Sequence, residues 1–344
     1  MRLAVCMPQV PFERGGTEIF ADGLVHALRE HGHETELVTV PYKWYPGEQV
    51  LTQAFVWRLL DLTEANGRPI DAVIATKFPS YAIRHPRKVV WLLHQFRQAW
   101  DLDRTELGQF SESAEDRALR RKVLEFDRVT LGEARAIFTT SSIVAGRLRD
   151  STGLGAEVLA PPPAPLDFHC SAYEDFILSV NRLDRAKRID LLIEAAAATP
   201  DVRVVIAGDG PDRERLEQLA RERGLDGRAT FAGRVDDAEL ADLYARCRGV
   251  YYAPVDEDYG LVPYEAFLSE KPVITATDAG GPLDIVHDRQ TGLVVAPTVE
   301  DVARACTWLR EHEDDARALG RAGRELARAV TWDVCIERLL EPIA

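Results

Sequence analysis

Two doubly wound α/β units, each a parallel sheet with helices on both faces, are predicted by three features of the sequence. The chain's 344 residues exceed one ordinary domain and suit two of about 150 to 170 residues each. Short apolar segments alternate with helical patterns from one end to the other, the rhythm of parallel strands joined by crossover helices. That rhythm breaks at Ala160-Pro-Pro-Pro-Ala-Pro165, an extended segment that holds neither helix nor central strand. The boundaries read as 1–163 and 164–330, with a last helix in about 331–344 crossing back onto the first unit.

In the first unit, strands are expected at Leu3–Met7, Thr35–Val40, Ala72–Ala75, Val89–Leu93 and Ala136–Thr139, with helices at Thr17–Glu30 and Ala114–Arg135. In the second, strands Phe176–Val180, Val202–Ala207, Ala229–Ala232, Gly249–Ala253 and Val273–Thr277 alternate with helices Ile189–Ala198, Arg213–Arg223, Ala238–Arg246 and Tyr264–Leu268. The final helix is read over Asp333–Leu340.

Composition narrows the function. The 42 basic and 56 acidic side chains leave a net charge of −14, which argues against nucleic acid as a partner. Cys6, Cys170, Cys247, Cys306 and Cys335 are scattered, with no Cys-x-x-Cys and no histidine at zinc-ligand spacing. No apolar run reaches the roughly 18 residues that cross a bilayer. Met1–Pro8 reads as a first strand rather than an export signal, so a cytoplasmic protein is expected.

In open parallel sheets, ligands bind beyond the carboxyl ends of the strands, so the loops that follow strands carry the search. Gly15-Gly16-Thr17-Glu18 opens the first helix, where glycines allow close backbone approach and the helix N-terminus suits phosphate; a plain turn accounts for the pair equally well. Asn181-Arg182-Leu183-Asp184-Arg185-Ala186-Lys187-Arg188 offers Arg182 and Lys187 to a diphosphate, against the bland reading of a solvated basic turn. Ala253-Pro-Val-Asp-Glu257-Asp-Tyr-Gly260-Leu-Val-Pro-Tyr-Glu265 sets Glu257 in a loop and Glu265 at a helix start. Carboxylates accept hydrogen bonds from sugar hydroxyls, and backbone N–H groups around Gly260 and Leu261 suit phosphate oxygens. Otherwise Glu265 simply complements its helix dipole.

Taken together these segments resemble the retaining glycosyltransferases of family 4, the group 1 glycosyltransferases of GT-B fold. Members typically read Gly-Gly-x-Glu, Gly-Arg-Leu followed by Lys, Gly-Asp-Gly-Pro, two Glu with seven residues between them, and Gly-Gly-x-x-Glu. Here stand Gly15-Gly16-Thr17-Glu18, Asn181-Arg182-Leu183 with Lys187, Gly208-Asp209-Gly210-Pro211, Glu257 with Glu265, and Gly280-Gly281-Pro282-Leu283-Asp284, in order over almost the whole chain. Two positions depart: Asn181 replaces the usual Gly, and Asp284 the usual Glu, which makes Asp284 a structural residue.

The resemblance implies two Rossmann-like domains facing across a cleft and transfer of a hexose, with retention and without a metal, from a UDP- or GDP-linked donor to a saccharide, lipid-linked or small-molecule acceptor. No cofactor is implied, the nucleotide diphosphate sugar being a co-substrate. Arg182 and Lys187 would bind the diphosphate, Glu265 the ribose, and Glu257 the transferred sugar. Tyr259, Gly260, Leu261 and Val262 would touch phosphate and sugar, Gly15 and Gly16 the diphosphate from the first domain, and Val235 the base; Gly208 joins the donor set. His94, after the strand Val89–Leu93, takes the place of the family's sugar-facing histidine, although a lone histidine is more often structural. The Lys187-Arg188-Ile189-Asp190 run is similar to that of members using GDP-mannose.

Tyr42, Trp44, Arg97 and Trp100 lie in first-domain loops as candidate acceptor contacts, with buried loop anchors as the competing role. Asp256-Glu257-Asp258 matches a metal-binding Asp-x-Asp, but in a second Rossmann-like half, the wrong context for it. Arg117, Arg120, Arg121 and Lys122, set among acidic residues, read as a solvated helix face in preference to a peripheral contact with the inner membrane face. A nucleotide-sugar epimerase and a non-catalytic nucleotide-sugar-binding protein remain as alternatives. A nicotinamide enzyme is disfavoured because Gly208-x-Gly210 lacks its third glycine.

Overall fold

The apolar segments form two parallel six-stranded sheets in the computed structural model, which describes residues 1–12, 15–103 and 108–344. The chain divides into one unit of Met1–Pro161 with Thr331–Ala344, and a second of Pro162–Val330.

The first unit runs β1 (Arg2–Gln9), α1 (Gly16–Glu30), β2 (Glu34–Pro41), α2 (Gln49–Leu59), a short hairpin β3 (Glu64–Ala65) and β4 (Arg68–Pro69), β5 (Ala72–Ala75), β6 (Lys88–Leu92), α3 (Ala114–Gly132), β7 (Ala136–Thr139), α4 (Ser142–Thr152) and β8 (Glu157–Val158). Its sheet order is β2-β1-β5-β6-β7-β8, with every pairing parallel. Strand side chains alternate between faces, and here both faces are buried. Ala4, Cys6, Val90 and Leu92 pack on one side with Trp57, Val123 and Leu148. Leu3, Val5, Val89 and Trp91 pack on the other with Phe20, Leu24 and Leu28.

The second unit runs β9 (Ile177–Val180), α5 (Ile189–Ala198), β10 (Val204–Ala207), α6 (Arg213–Glu222), β11 (Ala229–Gly233), α7 (Asp237–Arg246), β12 (Gly249–Tyr251), α8 (Val262–Leu268), β13 (Val273–Ala276), β14 (Gly292–Val295), α9 (Val299–Glu311) and α10 (Glu313–Arg328). Its order is β11-β10-β9-β12-β13-β14, again parallel. Helix α11 (Trp332–Leu340) belongs to the first unit. Its Cys335, Ile336 and Leu339 join the Leu3–Phe20–Trp91 core, and Trp332 covers Gly23 of α1 so closely that a Cβ there would meet its ring at 2.8 Å.

Some boundaries differ from the sequence reading. Helix α3 ends at Gly132 rather than Arg135, because Glu133 turns back to Arg58 and Lys88 and the Arg135 N–H already donates to Lys88 O at the start of β6 (2.8 Å). Helix α8 starts two residues early, with Pro263 in its first turn, where proline's missing N–H costs nothing. Several elements carry no readable pattern. Helix α2 buries Val50, Ala54 and Trp57 yet exposes Phe55, Val56 and Leu59, so its apolar residues mark no single face. Helix α10 contains Gly320 and Gly323, poor helix formers. Both are explained by contact: a Cβ at Gly320 would lie 1.9 Å from Glu270 O, and one at Gly323 would lie 2.3 Å from the Phe267 ring.

Candidate active site in the second unit

Strand order reverses between β9 and β12, and the loops leaving that switch point define the crevice where doubly wound sheets take ligands. The two loops are Asn181–Arg188 and Tyr252–Leu261, and they meet: Lys187 Nζ donates to Glu257 Oε2 and lies 5.7 Å from the centre of the Tyr252 ring. Backbone bonds fix the approach. Val255 N–H donates to Ala186 O (2.8 Å), and Glu257 N–H to Ala279 O (2.9 Å) in the loop after β13. Arg188, N-terminal to α5 and held at φ +51°, forks onto Asp278 at 2.7 and 2.6 Å.

The cations of the basic turn thus have different fates. Lys187 faces Glu257 and Arg188 clamps two loops. Arg182 is exposed and, among the described residues, pairs with no side chain.

Tyr252, which carries no signal in the sequence, is the floor of the site. It is buried, and its hydroxyl is pushed well above the ordinary tyrosine range by that burial and by Glu257, Glu265 and Asp184 around it. Gly260, at φ +103°, lies flat on it, and a Cβ there would meet the ring at 2.7 Å. Glu265 accepts the Tyr244 hydroxyl at 2.7 Å; burial raises its pKa, and this bond works against the rise. Tyr259, Leu261 and Val262 complete the half-buried approach to α8. Val235 is half-buried after Gly233 and before the Asp236 cap of α7. Gly208, at φ +123°, is required by packing, since a Cβ there would fall 1.8 Å from Asn181 O.

In the first unit, Gly15 caps α1 and donates its N–H to Glu18 Oε2 at 2.8 Å, and Gly16 begins the helix. Among the described residues nothing lies within 4 Å of a Cβ built on Gly16, so no neighbour there demands glycine. His94 Nδ1 contacts Gln95 O at 2.7 Å; a carbonyl only accepts, so Nδ1 carries a proton. Of the acceptor candidates, Tyr42 packs its ring on Phe78, and Trp100 Nε1 donates to buried Asp127 (2.8 Å). Arg97 pairs with Asp101, while Trp44 is 38% exposed against Tyr45.

An open groove of about 510 Å³ lies elsewhere, between α2 and α3, lined by Phe55, Phe126, Val129, Arg121 and Lys122. It touches none of the strand-end loops. Among the described residues, no helix is long and apolar enough to cross a membrane, and no three His, Cys, Asp or Glu side chains are grouped to hold a metal.

The family model described as glycosyl transferases group 1 matches residues 171–326, the stretch that holds Lys187, Glu257 and Glu265. That stretch of the chain is similar to the group 1 glycosyl transferases. The chain is 35% identical over 184 residues to the GDP-mannose-dependent alpha-(1-6)-phosphatidylinositol monomannoside mannosyltransferase of Mycobacterium tuberculosis, covering 48% of this chain and 46% of that protein. It is 30% identical over 171 residues to the alpha-1,3/1,6-mannosyltransferase ALG2 of Dictyostelium discoideum, covering 44% and 40%. The chain therefore spans less than half the length of these curated relatives. The fold extends further: sucrose-phosphate synthase from Thermosynechococcus elongatus superposes with TM-score 0.79 at 20% identity, over 99% of this chain and 98% of that one.

Proposed function

We propose that this protein is a retaining, metal-independent glycosyltransferase that moves a hexose from a UDP- or GDP-linked donor to a saccharide, lipid-linked or small-molecule acceptor. The observation that carries the reading is the pairing of Lys187 with Glu257 by the two switch-point loops, inside the segment matched by the family. A donor diphosphate is a stronger partner for Lys187 than one carboxylate, and its arrival leaves Glu257 to accept the hydroxyls of the transferred sugar. Arg182, exposed in the same loop as Lys187, supplies a second cation to the phosphates, and Glu265, held by Tyr244, takes the ribose.

Transfer breaks the bond between the anomeric carbon and the phosphate oxygen. Positive charge grows on the sugar and negative charge on the leaving diphosphate. Lys187 and Arg182 stabilise the latter, the transition-state electrostatics that a metal provides in other enzymes. The acceptor hydroxyl attacks on the face the diphosphate leaves, and its proton passes to the departing phosphate oxygen, so anomeric configuration is retained. His94 is assigned to a sugar hydroxyl. The use of GDP-mannose by the M. tuberculosis relative makes that donor the first to try.

Calorimetric titration with UDP, GDP, dTDP and their common sugars, with chelator present, tests the site. One nucleotide should bind at micromolar strength, and Lys187→Ala should weaken it at least tenfold, about 1.4 kcal/mol. Binding that needs a divalent ion defeats metal independence, and equal binding by Lys187→Ala defeats the assignment. Proton NMR of the product's anomeric signal decides retention.

A further inference from the structure

The loop after β6, which carries His94, Arg97 and Trp100, is held from beneath by one carboxylate. Asp127 is fully buried on α3. Its Oδ1 accepts the Tyr81 hydroxyl at 2.7 Å and its Oδ2 accepts Trp100 Nε1 at 2.8 Å. The Gln95 amide and the Phe96 N–H face the same carboxyl and favour its charged form. Gln95 Nε2 stops short of a full hydrogen bond, while Gln95 Oε1 accepts from Ser151 at 3.0 Å. The Tyr42 hydroxyl is buried nearby, has no hydrogen-bond partner among the described residues, and lies in the field of Asp127.

A buried carboxylate without a cation is costly. Burial lifts the Asp127 carboxyl to about 7 against the pull of these donors. An apolar side chain would fill the place at lower cost, but it would fix no direction. Asp127 fixes two, because Tyr81 lies in the turn after β5 and Trp100 in the loop after β6, adjacent strands of the sheet. Both loops are thereby tied to one point on α3.

We propose that Asp127 is a positioning residue, setting through Tyr81 and Trp100 the conformation of the loop that presents His94 and Arg97 to the sugar. This rests on the role given to His94 above. Three of the four candidate acceptor contacts then divide between two roles, since Trp100 and Tyr42 face the anchor and Arg97 lies on the loop being anchored.

The test uses the full chain with UDP-glucose or GDP-mannose, whichever binds, and follows acceptor-free hydrolysis to the nucleotide diphosphate. Asp127→Ala should lower kcat at least tenfold while donor Kd stays within twofold. Asp127→Asn keeps an acceptor for Trp100 and meets the Tyr81 hydroxyl oxygen with an amide N–H, reversing that bond without losing it, and should stay within threefold of wild type. The Trp100 indole N–H resonance, assigned by its loss in Trp100→Phe, should move in Asp127→Ala and hold in Asp127→Asn. Should Asp127→Ala fail to fold, Tyr81→Phe and Trp100→Phe each remove one donor and should each lower kcat severalfold at constant Kd. Wild-type kcat in all foldable variants, or Kd changing in step with kcat, overturns the proposal. A wild type that binds neither donor overturns the transferase reading instead, and an unmoved indole resonance in Asp127→Ala overturns the anchoring itself.

Discussion

The two units hold their functional loops by different means. In the second, three loops at the carboxyl ends of β9, β12 and β13 are joined by backbone bonds and by charge pairs near the surface, Lys187 with Glu257 and Arg188 with Asp278. In the first, the loops after β5 and β6 hang on a buried carboxylate met by neutral donors. Surface pairs exchange readily with an arriving anion, whereas a buried network holds one geometry or fails. Under the proposed function, the difference would suit a second unit that takes the charged donor and a first unit that holds His94 in one place.

The second unit is most sensitive at Gly208. In Gly208→Ala the new methyl would lie on Asn181 O at 1.8 Å with φ at +123°, so the backbone joining the loops after β9 and β10 must move. A loss of about 3 kcal/mol or more is expected in denaturant unfolding of the second unit, with donor binding lost alongside it. An equivalent backbone demand is not seen at Gly16, where Gly16→Ala should leave stability within about 0.5 kcal/mol and act only on ligand affinity.

The buried carboxylate of the first unit makes stability depend on pH. The folded state keeps a proton on Asp127 up to pH about 7, while the unfolded chain releases it near 3.8. Between those values the native state binds more protons, so this group's contribution to stability falls as pH rises from about 4 to about 7 and is level above. Denaturant midpoints of wild type minus Asp127→Asn should trace that fall; a flat difference would show that Asp127 ionises normally. The smallest effect is expected at Arg188. Arg188→Ala loses a half-exposed ion pair worth about 0.5 to 1 kcal/mol, and Arg188→Gly should lose less, because glycine relieves the left-handed φ of +51°.

What the sequence discloses follows the same division. Lys187 and Glu257 stand in loops that directly follow apolar strands, and local pattern is enough to bring them forward. The parallel alternation likewise announces both sheets. Tyr252 escapes notice because, in Tyr251-Tyr252, it reads as one more strand aromatic, and only the fold shows that Gly260 rests on it. Asp127 looks like an ordinary helix-surface acid among Arg120, Arg121 and Lys122. Its partners Tyr81 and Trp100 lie 46 and 27 residues away, and no spacing rule links them. Helix α10 is illegible for a related reason: glycines chosen for a neighbour's backbone or ring look, in one dimension, like breaks.

Helix α11 also sets the order in which the two units can fold. Residues 332–343 complete the core that Leu3, Phe20 and Trp91 begin, so during synthesis the ribosome must emit the whole second unit before the first can close. The second unit, continuous in sequence from Pro162 to Val330, has no such wait. The second unit is therefore free to fold before α11 completes the face of the first sheet that it shares with α1.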